Sequence, residues 1–412
     1  MTSDIYSTQH RGNPLIPWQT ALARITEGVE ALQRPAETVA LEDALGRVLA
    51  ADVVLDRPEP PVSRSAMDGF ALRSADGIQN RQILATVYAG SSEIPEVGEG
   101  QAAPVMTGGS IPAGADCVVP VEFTQRVGEK LVIQSSPQKG RHIRCEGEIG
   151  EAGRQVVAAG TMLLPSDLCA AAGCGAAQVA VRPKPQLSLL STGDEVIGWQ
   201  EQPLPHQVRD SNRFGAAFQC AGFGAEITAQ KSLVDDPKVL RAGLTEAMET
   251  SDLVVTIGGV SMGERDYLPG LFQELGFECW FHGVAMQPGK PVWLGKNNHT
   301  WLLGLPGNPV SAFVTLELFG RRLVSGMLGL TSTPGLQMLA ARLGNAARAR
   351  KRDRFLPAHL EFPEQGPMEA WVQSETGSGD WTSLAGATGL VFLSAGSDLV
   401  AGDAVKFIPF HL

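Results

Sequence analysis

No stretch of the 412-residue chain approaches the roughly 18 uninterrupted strongly apolar residues of a membrane-spanning helix, so none is expected. Positive charge is in deficit: 33 Lys and Arg against 44 Asp and Glu leave a formal net charge of −11 at pH 7. A dedicated nucleic-acid binder needs a basic face to neutralise phosphates, so that class is disfavoured. An anionic small substrate stays open, because a local site can oppose the global charge. Residues Met1 to Asn13 are polar and lack the apolar core of a secretory signal. The six cysteines, Cys117, Cys145, Cys169, Cys174, Cys220 and Cys279, form no C-x-x-C pair and read as free, mostly buried thiols in a reducing cytoplasm. There is no histidine cluster for zinc, and no G-x-S-x-G or paired Cys/His motif for acyl transfer. Fixed-period repeats and long low-complexity runs are also missing.

What is present is ordinary globular material, 43% hydrophobic and 19% charged. The length suggests about two or three domains. Trp18, Ala21, Leu22, Ile25, Val29 and Leu32 share one helical stripe, which predicts a helix beginning near Pro17. A second short helix is expected over Leu41 to Ala50. Between Asp52 and about Gly153, short apolar runs such as Gln82–Tyr88, Ala115–Val121 and Lys130–Gln134 are split by Gly, Pro, Asp and Ser clusters, which reads as a β-rich module. Helical character returns over 154–182, and a helix at 17–34 packed with that stretch is the expected arrangement.

From Arg182 strands and helices alternate. Leu187–Leu190, Ala225–Val234, Leu253–Ile257 and Trp301–Gly304 read as strands. Helices are expected over Asn212–Gly222, after Asp236-Pro237 and after Asn308-Pro309, where a capping residue precedes a first-turn proline. This alternation predicts a three-layer α/β domain with a mainly parallel sheet. From about Leu330 the pattern becomes β-like again and predicts a small all-β domain.

Ligands on such sheets sit beyond the carboxyl ends of the strands. Three glycine-rich loops fall there: Ser191-Thr192-Gly193-Asp194-Glu195, Gly258–Asp266, and Gly304-Leu305-Pro306-Gly307-Asn308-Pro309-Val310-Ser311. Glycines let backbone N–H groups approach an anion. Ordinary strand-to-helix turns use Gly and Pro as well, but three on one edge favour a ligand site. Asp194, Glu195, Asp235, Glu264 and Asp266 lie in or beside these loops. Grouped carboxylates repel unless they share a cation or protons, and Mg2+ with oxygen ligands reconciles them with an anionic substrate. Pro288-Gly289-Lys290 places a lysine where a turn could aim it at phosphate. The basic run Arg348–Arg354 matters if folding brings it over the α/β edge. Ser63–Phe70 and Val105–Asp116 read as structured loops.

Ser65-Ala66-Met67-Asp68-Gly69, Met106-Thr107-Gly108, Ser191–Glu195, Gly258–Tyr267, Pro288-Gly289-Lys290-Pro291 and Gly304–Ser311 together resemble the molybdopterin molybdenumtransferase family, whose relative is the C-terminal region of gephyrin. The resemblance covers essentially the whole chain. It implies an α/β plus β multidomain fold. A discontinuous helical dimerisation region would occupy 1–51 and 154–182, and a β-rich inserted module 52–153. A molybdopterin-binding α/β domain at 183–329 and a C-terminal β-barrel at 330–412 would follow. It further implies a Mg2+-assisted insertion of molybdate into adenylylated molybdopterin with release of AMP, by a cytoplasmic homodimer. Handover to a molybdopterin adenylyltransferase and to molybdoenzyme chaperones belongs to the same picture, with neither nucleic acid nor membrane as partner.

Carried over by motif, the catalytic set is Asp68, Thr107, Glu195, Asp235 and Asp266, with Asp194, Glu195, Asp235 and Asp266 for the metal. The substrate-binding set is Gly193, Asp194, Gly258, Gly259, Ser261, Gly263, Glu264, Pro288, Gly289, Lys290, Pro306, Gly307, Asn308, Pro309, Arg354 and Ser378. The chain departs from the family at Gly283 and Gln287, where some members carry lysines, and at Cys145 and Ile149. Alternatives are a molybdopterin adenylyltransferase-type activity, which would not require residues 1–180 and 330–412, a tungstate-inserting paralogue, and a gephyrin-like scaffold.

Overall fold

The computed structural model describes residues 15–261, 267–330, 336–374 and 376–410. Its centre is a six-stranded sheet in the order Glu226–Leu233, Gln186–Thr192, Leu253–Ile257, Trp301–Leu305, Trp293–Lys296, Glu278–His282. The first four strands are mutually parallel, and Trp293–Lys296 runs antiparallel to both its neighbours. Alternation within the strands supplies both faces. Leu187, Leu189, Leu253, Val255 and Ile257 pack against helices α3 (Ser211–Gly222), α6 (Pro309–Thr315) and α7 (Arg321–Met327). Leu190, Val254 and Leu302 pack the other way, against α4 (Pro237–Thr250) and α5 (Leu268–Glu274). Helices on both faces make the three-layer domain that the alternation predicts. Asp236 caps α4 as expected, its Oδ1 accepting from Lys238 N at 2.9 Å and Val239 N at 3.1 Å.

The last domain is a closed barrel of five strands: Asp353–Glu361, Glu369–Val372, Leu339–Leu343, Ala404–Pro409 and Gly389–Leu393, which pairs back onto the first. Closure leaves no free sheet edge. The β-rich module carries a separate six-stranded sheet, with Gly69–Leu72 between Cys117–Pro120 and Gln101–Val105. Its strands bury small clusters on both faces, Ala71, Ala103 and Val118 on one and Leu72, Ala102, Cys117 and Val119 on the other.

The N-terminal stretch differs from its reading. Helix α1 spans Trp18–Gly28 and stops short of Val29 and Leu32. A Cβ at Gly28 would fall 1.7 Å from Trp280, and Val29 turns extended and lies against Gly326. The apolar stripe of α1 does not seek 154–182. Trp18 stacks edge-on with Phe355 and Phe392 of the barrel and donates from Nε1 to Asp353 at 2.8 Å. Ala21 and Ile25 join the α/β core. The expected helix over Leu41–Ala50 shrinks to a single 3-10 turn, Leu41–Asp43. Gly46 sits at φ 71°, and the residues after it satisfy their backbone across the chain: Gly46 N donates to Leu163 O and Leu49 N to Thr161 O. The stretch that pairs with 154–182 lies within 37–55. Glu37–Ala40 pairs antiparallel with Gln178–Val181, and Val53–Val54 with Gln155–Val157. A common core of Ala44, Leu49, Val53, Leu163, Ala171 and Val181 includes α2 (Pro165–Gly173). The long β module is inserted between these two halves.

All six cysteines are free, but only Cys117, Cys174 and Cys220 are buried. Cys145, Cys169 and Cys279 are exposed, so the expectation of mostly buried thiols holds for half of them. Among the described residues no helix is long and apolar enough to cross a membrane.

Candidate active site

The three glycine-rich loops leave adjacent parallel strands at their carboxyl ends, and contacts between them are direct. Gly258 has φ 96°, and a Cβ there would lie 2.9 Å from the carbonyl oxygen of Thr192 and 3.0 Å from its Oγ1. Only a residue without a side chain lets the second loop rest on the first. Across from it, a Cβ on Gly307 would meet Gly258 Cα at 3.7 Å. Gly259 has φ 64° and lies over Leu268. Ser261 is exposed at the end of the described part of this loop, and Gly263, Glu264 and Asp266 lie outside the described residues.

The acidic residues group in part. Asp194 Oδ1 accepts from Asp235 N at 3.1 Å, which ties the first loop to the turn before α4. Asp194 and Glu195 are exposed and Asp235 half-buried. Glu195 folds back over Gly193, where a Cβ would fall 2.8 Å from its Oε2. Among the described residues no group of three or more His, Cys, Asp or Glu is placed to hold a metal. Mg2+ needs only one or two carboxylates when substrate phosphates and water complete its shell. Asp194 brings an exposed carboxylate to this edge with the Asp235 backbone beside it, and the described residues do not by themselves form a metal cage.

The other side of the edge is built by the third loop and the barrel. Asn308 stands at the N-cap of α6, yet its side chain does not cap. Its Nδ2 donates instead to Ser378 Oγ at 3.0 Å, while Val310 N donates to Ser378 O at 3.1 Å. Pro306 is buried and Gly307 exposed. Pro288 and Gly289 are buried beside α6, and a Cβ on Gly289 would fall 2.2 Å from Thr315 Cγ2. Lys290 extends from this segment into solvent. Met286–Gln287 pairs in parallel with Asp353–Arg354, so the end of the basic run is brought beside the Pro-Gly-Lys turn. Arg354 also donates to Arg348 O at 2.8 Å.

Two organising residues escaped the sequence reading. Asp210 is buried and accepts from Ser191 Oγ at 2.6 Å, Arg213 N at 3.1 Å and Arg213 Nε at 2.6 Å, which fastens the first loop to α3. Asn212 Nδ2 donates to Gly307 O at 2.6 Å and fastens the third. Their signal was the Asp210-Ser211-Asn212 run, a capping sequence that leads into the start assigned to that helix.

Asp68 and Thr107 meet in the β module. Asp68 Oδ1 accepts from both Thr107 N and Thr107 Oγ1 at 2.7 Å, and both residues are exposed. The Thr107 amide first, and its hydroxyl second, hold the Asp68 carboxyl below the usual range. The turn is anchored by Gly108 N donating to Ser65 O and Ser65 N to Gly109 O. The apolar clusters of this module contain only its own residues.

A doubly wound α/β domain with a glycine-lined strand edge, joined to a β-barrel that seats a serine on that edge, defines a class of multidomain ligand-binding proteins. Family models match three successive stretches: the MoeA N-terminal region (domains I and II) at 16–175, a probable molybdopterin binding domain at 188–325, and the MoeA C-terminal region (domain IV) at 340–410. The chain is 32% identical over 396 residues to the molybdopterin molybdenumtransferase of Bacillus subtilis, covering 93% of this chain and 91% of that protein. It is 32% identical over 404 residues to the one from Staphylococcus aureus, covering 96% of each. The crystal structure of a molybdopterin biosynthesis MoeA protein from Pyrococcus horikoshii OT3 superposes with a TM-score of 0.81 at 26% identity, over 96% of this chain and 100% of that one. The chain belongs to the molybdopterin molybdenumtransferase family, a transferase family of molybdenum cofactor biosynthesis.

Proposed function

We propose that this chain inserts molybdenum, delivered as molybdate, into adenylylated molybdopterin and releases AMP. The observation that carries the reading is the convergence of the Thr192, Gly258 and Gly307 loops on one edge, with barrel residue Ser378 fastened to Asn308. A site that needs the barrel fits insertion better than adenylyl transfer by an α/β domain alone.

In this reading the glycine loops accept the phosphates, because backbone without side chains lets an anion approach closely. Lys290 and Arg354 supply positive charge from the neighbouring turn and strand. Asp194, Glu195, Asp235 and Asp266 are the residues that would hold Mg2+, which when bound would supply positive charge opposite the phosphates. The enzyme acts as a cytoplasmic homodimer, in which Asp68 and Thr107 of one subunit complete the edge of the other. It receives substrate from a molybdopterin adenylyltransferase and passes product to molybdoenzyme chaperones.

The test incubates the protein with adenylylated molybdopterin, Mg2+ and molybdate, with tungstate in a parallel arm. AMP release matched by metal retained on the dithiolene is expected. AMP release without retained metal, or no release at all, overturns the reading.

A further inference from the structure

The Thr376–Thr382 loop of the barrel is organised around one carboxylate. Asp380 Oδ2 accepts from Thr376 N at 2.9 Å and from Thr376 Oγ1 at 3.2 Å. Its Oδ1 accepts from Thr382 N at 3.2 Å and from the Thr382 hydroxyl. The backbone of the same residue continues the closure, with Asp380 N donating to Gly377 O at 3.0 Å and Ser383 Oγ to Asp380 O at 2.8 Å. Asp380 also caps the short 3-10 turn Trp381–Leu384. The Thr382 hydroxyl first, then the Thr376 amide, keeps this half-buried residue's carboxyl below the usual range, so it is ionised and accepting at neutral pH.

The loop needs such a clasp. Ser378 lies between Gly377, at φ 140°, and Gly379, and a Cβ on either glycine would meet nothing within 4 Å. Neither glycine carries a side chain that could pin the backbone beside Ser378, and glycine adds freedom rather than stiffness. Yet Ser378 makes two bonds that join the barrel to the α6 turn, its hydroxyl accepting from Asn308 and its carbonyl from Val310.

We propose that Asp380 is a positioning residue: its carboxylate closes the Thr376–Thr382 loop into a latch that seats Ser378 on the Asn308 turn and so fixes the substrate-binding loop. This rests on the reading of that edge as the molybdopterin site.

The experiment uses the full chain with Asp380→Ala, Asp380→Asn and Thr382→Val. It measures amide exchange at Val310, thermal unfolding, and KM and kcat for adenylylated molybdopterin with Mg2+ and molybdate. Loss of one net hydrogen bond's worth of positioning predicts Val310 exchange and KM each up about fivefold for Asp380→Ala, with kcat within about twofold. Asp380→Asn keeps one of the two acceptor oxygens, so its shift should be smaller. Adding Ser378→Ala to Asp380→Ala should raise KM little further, since both act on one latch. If Asp380→Ala does not fold, Thr382→Val must shift Val310 exchange and KM the same way by less. Unchanged Val310 exchange, or a lower unfolding temperature with KM unmoved, overturns the proposal. An inactive wild type would overturn the insertion reading instead, and Val310 exchange would still decide the latch.

Discussion

Two glycines on facing loops should respond differently to the same substitution. At Gly258 the backbone has φ 96°, and an added methyl would press on the Thr192 carbonyl oxygen at 2.9 Å. Backbone strain at such a φ and overpacking against a strand end each cost about 1–3 kcal/mol, so Gly258→Ala should weaken local structure by about 2–6 kcal/mol. The reporter is the amide of Gly258 itself, which donates to Leu305 O at 3.0 Å between two central strands. Even the lower figure corresponds to about 30-fold faster hydrogen exchange there. Gly307→Ala differs: its φ is outside the left-handed region, and the methyl would make only ordinary contact at 3.7 Å with Gly258 Cα. Its fold stability should change by less than about 1 kcal/mol, because alanine also restricts the unfolded chain. Substrate affinity should nevertheless fall, since the methyl occupies the space between the loops. Equal exchange at residue 258 in wild type and Gly258→Ala, or unchanged KM in Gly307→Ala, would refute this account of the edge.

Other outcomes follow from the same geometry. Asp194→Asn and Asp266→Asn should raise the Mg2+ concentration needed for half-maximal turnover while leaving thermal unfolding nearly unchanged, and equal turnover at limiting Mg2+ would remove the metal assignment. Mixing inactive Asp68→Ala and Asp266→Ala subunits under exchange should restore at most about half of the activity, because one heterodimer site then carries neither lesion. No recovery despite demonstrated exchange would mean that each subunit builds its site alone. The Asp68 carboxyl is held below 3.8 by Thr107, so its contribution is complete above that value and lost as pH falls through the lower folded-state pKa. Acid unfolding of wild type and Asp68→Asn should therefore differ in shape only below about pH 4, and a difference between pH 6 and 8 would contradict the assignment.

The sequence by itself determined what nearest neighbours along the chain decide. Strand–helix alternation set the α/β layers, because a buried parallel strand must be largely apolar on both faces, as Leu253, Val254, Val255 and Ile257 are. Asp236-Pro237 marked the start of α4, and runs of Gly at strand ends marked the edge, since φ values such as those of Gly258 and Gly259 exclude most other residues. Only the tertiary structure decided the rest. The stripe on α1 showed that one face is buried but not against what, and Trp18 went to the barrel rather than to 154–182. The Leu41–Ala50 stretch has a helical pattern, yet its backbone groups found partners near Leu163 and Ala180, and those long-range bonds overrode local preference. Asp68 meets Thr107 across 39 residues, and Asn308 meets Ser378 across 70. A periodic pattern reports which side of an element avoids water, whereas pairs so far apart are set by which surfaces fit once the sheets and domains have formed.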